Sequence, residues 1–200
     1  NAFETGKDFH RYTASLVNHI DYDKVTREQR NKAKALNFGI IYGMGVRSFA
    51  QSAGISKEEA RIFAEEYFEI YSGLRKFIDG LKLKAREKSY CETLYGRKRF
   101  LPFIGGFGFQ AAFEERIAIN MPIQGLAADI IKKAMIKIDE YLKANHFEND
   151  IRLILQIHDE LIFEVKANVQ DKEIFNIIDK MMEENELGIL LKVDKTRAKN

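Results

Sequence analysis

The chain has a single cysteine, Cys91, among its 200 residues. That excludes an internal disulfide and a cysteine-built zinc cluster, and it fits a reducing compartment. Cys91 itself reads as incidental. No apolar run approaches the ~20 residues that cross a bilayer, so no membrane partner is expected. The opening, Asn1-Ala-Phe-Glu-Thr-Gly-Lys-Asp8, has neither a signal-peptide pattern nor an initiator Met. It reads as the inside of a longer polypeptide that is not secreted. The far end, Thr196-Arg-Ala-Lys-Asn200, has no visible cap and also reads as a truncation. No repeat or low-complexity tract stands out. A glycine-rich stretch at 103–109 has no Lys-Ser/Thr partner, which argues against a phosphate-binding P-loop.

What is present supports a folded core: 46% of residues are hydrophobic and 31% charged. The net charge of +2 hides an imbalance. Residues 1–100 hold 19 Lys and Arg against 13 Asp and Glu, a balance of +6, and residues 101–200 hold 13 against 17, a balance of −4. Within 75–99, nine cations face only Asp79, Glu87 and Glu92. Such an excess suits a polyanion, and equally a solvated lysine-rich helix face.

The most informative stretch is 30–45, where Arg30, Lys34, Phe38 and Tyr42 recur at a spacing of four. On a helix each such step drifts only about 40° round the axis, so the four share one slowly winding stripe. Two cations suit phosphates, and two rings suit a base or sugar. The pattern also fits an ordinary amphipathic helix with two solvated cations and two core rings. Thr26-x-x-Gln29 is a capping box that starts this helix, and Gly43-Met-Gly45 stops it.

Elsewhere, 7–20 reads as a short helix with His10 near its start, and 47–53 as one or two helical turns before Gly54. Ser56-x-x-Glu59 caps a helix to about 71, Gly73 interrupts, and another helix follows to about 88. Residues 90–95 alternate like a strand, 96–99 (Gly-Arg-Lys-Arg) turn, and a basic hairpin closes at Pro102. A long helix over 111–145 contains Pro122, which predicts a kink or break. On it Arg116, Asn120 and Gln124 step by four, one cation and two amides on one face. Those amides suit base edges or sugars, and equally the backbone freed by Pro122. Residues 151–165 read as a buried strand pair with Gln156-x-His158-Asp159-Glu160 at its turn. A buried acidic pair needs compensation, for which a divalent metal is the usual means; the alternative is an exposed acidic turn. An amphipathic helix at 170–184 and a last strand at 188–194 complete the chain.

Taken together the motifs resemble those of family A DNA polymerases. Arg30-x3-Lys34-x3-Phe38-Gly39-x2-Tyr42-Gly43 is similar to motif B, and Gln156-Ile-His158-Asp159-Glu160 to motif C. Gly6-Lys-Asp-x-His10-x2-Thr-Ala14, Thr93-Leu-Tyr-Gly-Arg97-Lys-Arg99 and Arg116-x3-Asn120-x-Pro-x-Gln124-Gly125 resemble further segments in the same order. The resemblance implies a DNA-directed DNA polymerase with an α+β fold, a mostly helical fingers subdomain on a small antiparallel palm sheet. Residues 1–110 would be mainly fingers and 111–200 part of the palm. His10, Arg30 and Lys34 would hold the triphosphate of a dNTP, and Lys34 would also neutralise charge on the leaving group. Phe38 would stack on the nucleotide, its identity implying discrimination against dideoxynucleotides. Tyr42 would sit by the template base. Arg97, Arg99, Arg116, Asn120, Gln124 and His158 would contact primer–template DNA. Asp159 would bind catalytic metal, with Glu160 in support. Two Mg²⁺ ions are implied, the second needing an Asp outside this chain, because the family's motif A is missing. The thumb is missing too. The remaining polymerase chain is thus an expected partner, the 200 residues alone are expected to be inactive, and the setting is cytoplasmic, at a bacterial nucleoid, or organellar. The alternatives are a single-subunit phage-type RNA polymerase and a non-catalytic nucleic-acid-binding module. Phe38 and Glu160 favour the DNA enzyme over the first.

Overall fold

Local signals start and stop most of the helices. The computed structural model describes residues 6–169, 172–183, 187–188 and 191–198. Its fold is α+β, mostly helix with two small antiparallel sheets. The chain divides into two compact units, Asn1–Gly125 and Leu126–Asn200.

In the first unit, Asp8 caps α1 (Phe9–Val17) by accepting from Arg11 N at 2.8 Å. Helix α2 (Arg27–Ile41) opens on a full capping box: Thr26 Oγ1 accepts from Gln29 N at 3.2 Å and Gln29 Oε1 accepts from Thr26 N at 2.9 Å. Ser56 and Glu59 build the same device at α4 (Lys57–Ile70). Each cap stabilises its helix by about 1 kcal/mol. Between them, α3 (Val46–Ala53) ends on Gly54 at φ +66°. Helix α5 (Ser72–Lys88) begins earlier than expected. The break falls at Tyr71 (φ −104°, ψ 50°), and Gly73 lies within the first turn of α5, where glycine is tolerated.

The basic hairpin is present but short. Strands β1 (Tyr90–Glu92) and β2 (Lys98–Phe100) pair with Cys91 opposite Arg99. Residues 93–97 therefore form the connection, and Tyr95 is not in a strand. Thr93 N donates to Arg97 O at 2.9 Å, and Gly96 N donates to Thr93 O at 2.9 Å. Helix α6 (Gly108–Ala144) then runs 37 residues without ending at Pro122. An interior proline costs about 3 kcal/mol, but the neighbouring Ala118 and Ile119 are buried in core clusters. Side-chain burial there outweighs the one lost backbone bond. The main core joins Val17, Leu36, Ile40, Phe49, Tyr67 and Ile119 from α1, α2, α3, α4 and α6. A smaller cluster sets Cys91 and Leu101 against Ala85 and Ala118, so Cys91 packs the hairpin onto the helices, and burial pushes its thiol pKa up.

In the second unit, β3 (Ile151–Ile157) and β4 (Glu160–Val165) form the other hairpin, and α7 (Lys172–Met182) packs near its base. Ile151 is buried with Ile138, Leu142, Ile174 and Ile178. The hairpin is not buried along its length: Ile154, Leu155, Ile157 and Ile162 are exposed. The register also slips between Leu153 and Leu155, leaving Ile154 as a bulge. Apolar runs on both arms read as burial, yet the described core of this unit reaches only the hairpin base. The expected last strand does not form at 191–194, where backbone structure is irregular. A strand needs a neighbour, and the described sheet has only β3 and β4. Residues 189 and 190 of that expected strand, and 170, 171 and 184 of the expected helix, lie outside the described residues.

Candidate functional site

The stripe on α2 forms as its spacing requires, and its rings are not core. Phe38 is 45% exposed and Tyr42 is 50% exposed, while the opposite face, Ala33, Leu36 and Ile40, is buried. Two side chains from the α1 segment join the stripe. His10 stands beside Phe38 with ring centroids 5.4 Å apart. Lys34 Nζ lies over the same ring, 5.8 Å from its centroid, within cation–π range. Arg30 donates from Nε and Nη2 to Asp8 Oδ2 at 3.0 and 2.7 Å. His10 and Lys34 thus flank the Phe38 ring, and Arg30, held by Asp8, lies further along the same face of α2.

Asp8 and Asn37 complete this patch, and sequence reasoning gave neither a role. Asp8 caps α1 and orients Arg30 at once. Its carboxyl pKa is lowered, first by the Arg30 hydrogen bond and then by the Arg11 backbone N–H. Asn37 is 5% exposed, and its Nδ2 donates to His10 Nδ1 at 3.0 Å and to Thr13 Oγ1 at 3.2 Å. Thr13 in turn donates to Phe9 O at 2.9 Å and lies 3.2 Å from the Tyr71 hydroxyl. Asn37 Oδ1 has no partner among the described residues. The available signal was an asparagine, a poor helix former, set between Leu36 and Phe38 inside a helix. With Nδ1 accepting from Asn37, neutral His10 keeps its proton on Nε2, ready to donate. Burial pushes the His10 pKa down, Arg30 and Lys34 add to this, and Asp8 opposes it.

The end of α2 meets α6 closely. Gly43 has φ +66°, and a Cβ there would lie 3.0 Å from Arg116 Cγ and 3.2 Å from Arg116 Cα. Arg116, half-buried, rests its guanidinium 5.7 Å from the Phe113 ring centroid. The amide row continues from it: Asn120 is half-buried and Gln124 exposed. The 93–97 turn docks on the same helix, where Arg97 Nη2 donates to Gly125 O at 2.8 Å. A Cβ on Gly125 would sit 2.6 Å from Thr93 Cγ2, so glycine is needed for that approach. Arg97 therefore clasps the turn to α6, and Arg99 stands exposed on β2.

In the second unit, His158 and Asp159 form the tight turn between β3 and β4, with Ile157 opposite Glu160. His158 has φ +53°, a strained setting for a side-chain-bearing residue. Gln156 Nε2 donates to His158 O at 2.5 Å and braces it. His158, Asp159 and Glu160 are all exposed, so the acidic pair is not buried as expected, and desolvation does not by itself call for a metal. The donor set is still of the right kind, since carboxylate oxygens at an open turn suit a hard divalent cation. Among the described residues no three His, Cys, Asp or Glu are grouped to hold a metal ion, so the turn supplies one side of such a site at most.

Chemically, the first unit offers cations beside an exposed ring, fit for a phosphorylated nucleoside, and the second offers carboxylates on an exposed turn. The whole chain, residues 1–200, matches the family model described as DNA polymerase family A. It is 41% identical over 202 residues to DNA polymerase I of Lactococcus lactis, covering 100% of this chain and 23% of that protein. It is also 41% identical over 204 residues to DNA polymerase I of Rhizobium leguminosarum, covering 100% of this chain and 20% of that one. Among solved structures it resembles the POL domain of Pol1 from M. smegmatis in complex with DNA primer-template and dNTP. The TM-score is 0.81 at 39% identity, over 91% of this chain and 32% of that chain.

Proposed function

Because the chain belongs to DNA polymerase family A, we propose that it supplies the nucleotide-holding helix and one metal-binding turn of a DNA-directed DNA polymerase, working as part of a longer chain. It spans only 20–23% of the length of the two relatives above. The observation that carries the reading is the exposed ring of Phe38 flanked by His10 and Lys34, with Arg30 held by Asp8 further along the same helix face.

In this mechanism the dNTP triphosphate lies along Arg30, Lys34 and the His10 Nε2–H, and Phe38 stacks on the sugar and base. Tyr42 faces the template base. Lys34 stabilises charge as pyrophosphate leaves the α-phosphorus. Arg116, Asn120, Gln124 and His158 position primer and template, and Arg97 and Arg99 contact the DNA backbone. Asp159 is the metal ligand of this chain, and Glu160 supports it. When bound, two Mg²⁺ ions supply activation of the primer 3′-hydroxyl and stabilisation of the leaving oxygens. The second carboxylate comes from motif A, outside these residues. Residues 1–110 act mainly as fingers and 111–200 as palm. No described helix is long and apolar enough to cross a membrane, and the site of action is where DNA is copied, a bacterial nucleoid or an organelle.

The test is Lys34→Ala in the polymerase that contains this chain. A charge-assisted contact to phosphate is worth about 1.5–3 kcal/mol, so the KM for dNTP is expected to rise on the order of tenfold or more. Primer–template affinity, measured by anisotropy, should change far less. Equal losses in both would place Lys34 on the DNA backbone instead.

A further inference from the structure

The reading face of α6 continues towards the start of the helix. Upstream of Gln124, Asn120 and Arg116 come Phe113 and Phe109, in steps of four, four, three and four. Residues at these spacings share one side of a helix. Both rings face solvent: Phe109 is 80% exposed and Phe113 is 47% exposed. They are parallel to within 9°, with centroids 6.4 Å apart. Phe107, just ahead of the helix, is fully exposed. Exposed aromatic rings gathered in this way mark an interaction surface more often than chance exposure does.

The neighbouring charges favour a polyanion. Glu114 is buried, and its Oε2 accepts from Phe103 N at 2.7 Å, which also fixes the loop that leads into α6. Glu115 is paired with Arg86. The acidic groups of these turns are thus engaged, while Arg116 lies across Phe113 and the helix start adds its positive dipole. Aromatic faces with a cation at one end are the means by which proteins stack unpaired bases without regard to sequence. A peptide partner has no need of parallel rings continued by a cation and amides.

We propose that Phe109 and Phe113, backed by Arg116, form a stacking platform for unpaired bases of the template strand. The proposal rests on the polymerase reading above. It adds a binding surface beyond the nucleotide patch of α2.

The experiment compares two fluorescent DNA probes, a primer–template with a 5′ single-stranded overhang carrying 2-aminopurine and the same duplex with blunt ends. Wild type, Phe109→Ala, Phe113→Ala and the double variant are titrated, with Phe109→Tyr and Phe113→Tyr as conservative controls and urea midpoints to verify folding. Overhang affinity is expected to fall on the order of tenfold per ring removed, with loss of 2-aminopurine quenching. Blunt-duplex and dNTP binding should hold, and the tyrosine variants should behave as wild type. A double variant that binds and quenches the overhang as wild type does overturns the platform. So does one that changes only the oligomeric state in sedimentation, which would make the rings a protein interface. If wild type binds neither probe nor dNTP, the polymerase reading fails first. If dNTP and duplex binding persist without an overhang effect, only the platform fails.

Discussion

His10 is best placed while neutral and best able to hold a phosphate while charged. Burial lowers its pKa, with Arg30 and Lys34 adding to the effect, and Asn37 holds Nδ1 as an acceptor at 3.0 Å. The free protein therefore carries neutral His10 at neutral pH. For stability the sign follows: a histidine whose folded pKa lies below its unfolded value of about 6.5 leaves the fold most stable above that pH, and less so as pH falls through the window beneath it. Asp8, with a lowered carboxyl pKa, stabilises the fold above about 3.9 and loses this as pH falls further. A triphosphate beside His10 would raise its pKa in the complex, so binding takes up a proton. The expected outcome is that dNTP affinity tightens as pH is lowered from 8 towards 6, by up to about one tenfold step per pH unit. His10→Gln should remove the part of this slope that the nucleotide's own titration does not explain. Calorimetry in buffers of different ionisation enthalpy would count the proton. An unchanged slope in the variant would remove His10 from the phosphate site.

Among the elements, the contact between the end of α2 and α6 is the most demanding. Gly43 adopts φ +66° with Arg116 Cα in the way of any side chain. A left-handed conformation costs an L-residue about 1–2 kcal/mol, and the backbone neighbour adds to that. Gly43→Ala is expected to destabilise the protein by about 1–3 kcal/mol in urea unfolding and to weaken dNTP binding, because Tyr42 is displaced with the helix end. Wild-type stability would show that α2 has room to shift. This stop was legible in the sequence, as were both capping boxes, because caps and glycine stops act within four residues. The stripe from Arg30 to Tyr42 was legible for the same reason. The start of α5 was misplaced because Tyr71, not Gly73, takes the break, a choice made by the packing of Tyr71 against Tyr67 and Phe9. The bulge at Ile154 left no local mark, and the break that Pro122 allows does not form, because the burial of Ala118 and Ile119 holds α6 together there. Asn37 and Asp8 acquire their roles through partners 27 and 22 residues away, a separation that spacing rules do not reach.

At the scale of the whole molecule, the question is how much of a reaction these residues hold. The first unit gathers groups suited to a nucleotide, and the second carries Asp159 and Glu160 on an exposed, braced turn. Transfer of a nucleotidyl group by two metal ions requires carboxylates that hold both, and one exposed turn does not enclose a divalent cation. Among the described residues no further His, Cys, Asp or Glu joins this turn in a group of three. The chain also covers only 32% of the solved polymerase structure it resembles. The 200 residues by themselves are therefore expected to bind primer–template measurably but to give no Mg²⁺-dependent extension in a gel assay. On the proposed reading, in which they serve within a longer polymerase, Asp159→Ala should reduce incorporation by several orders of magnitude while DNA affinity stays near wild type, because a lost metal ligand acts on the chemical step rather than on docking. Extension by the isolated chain would mean that a carboxylate within it completes the metal site. An active Asp159→Ala enzyme would instead move the metal away from this turn, leaving the α2 patch as a nucleotide-binding surface whose chemistry is carried elsewhere.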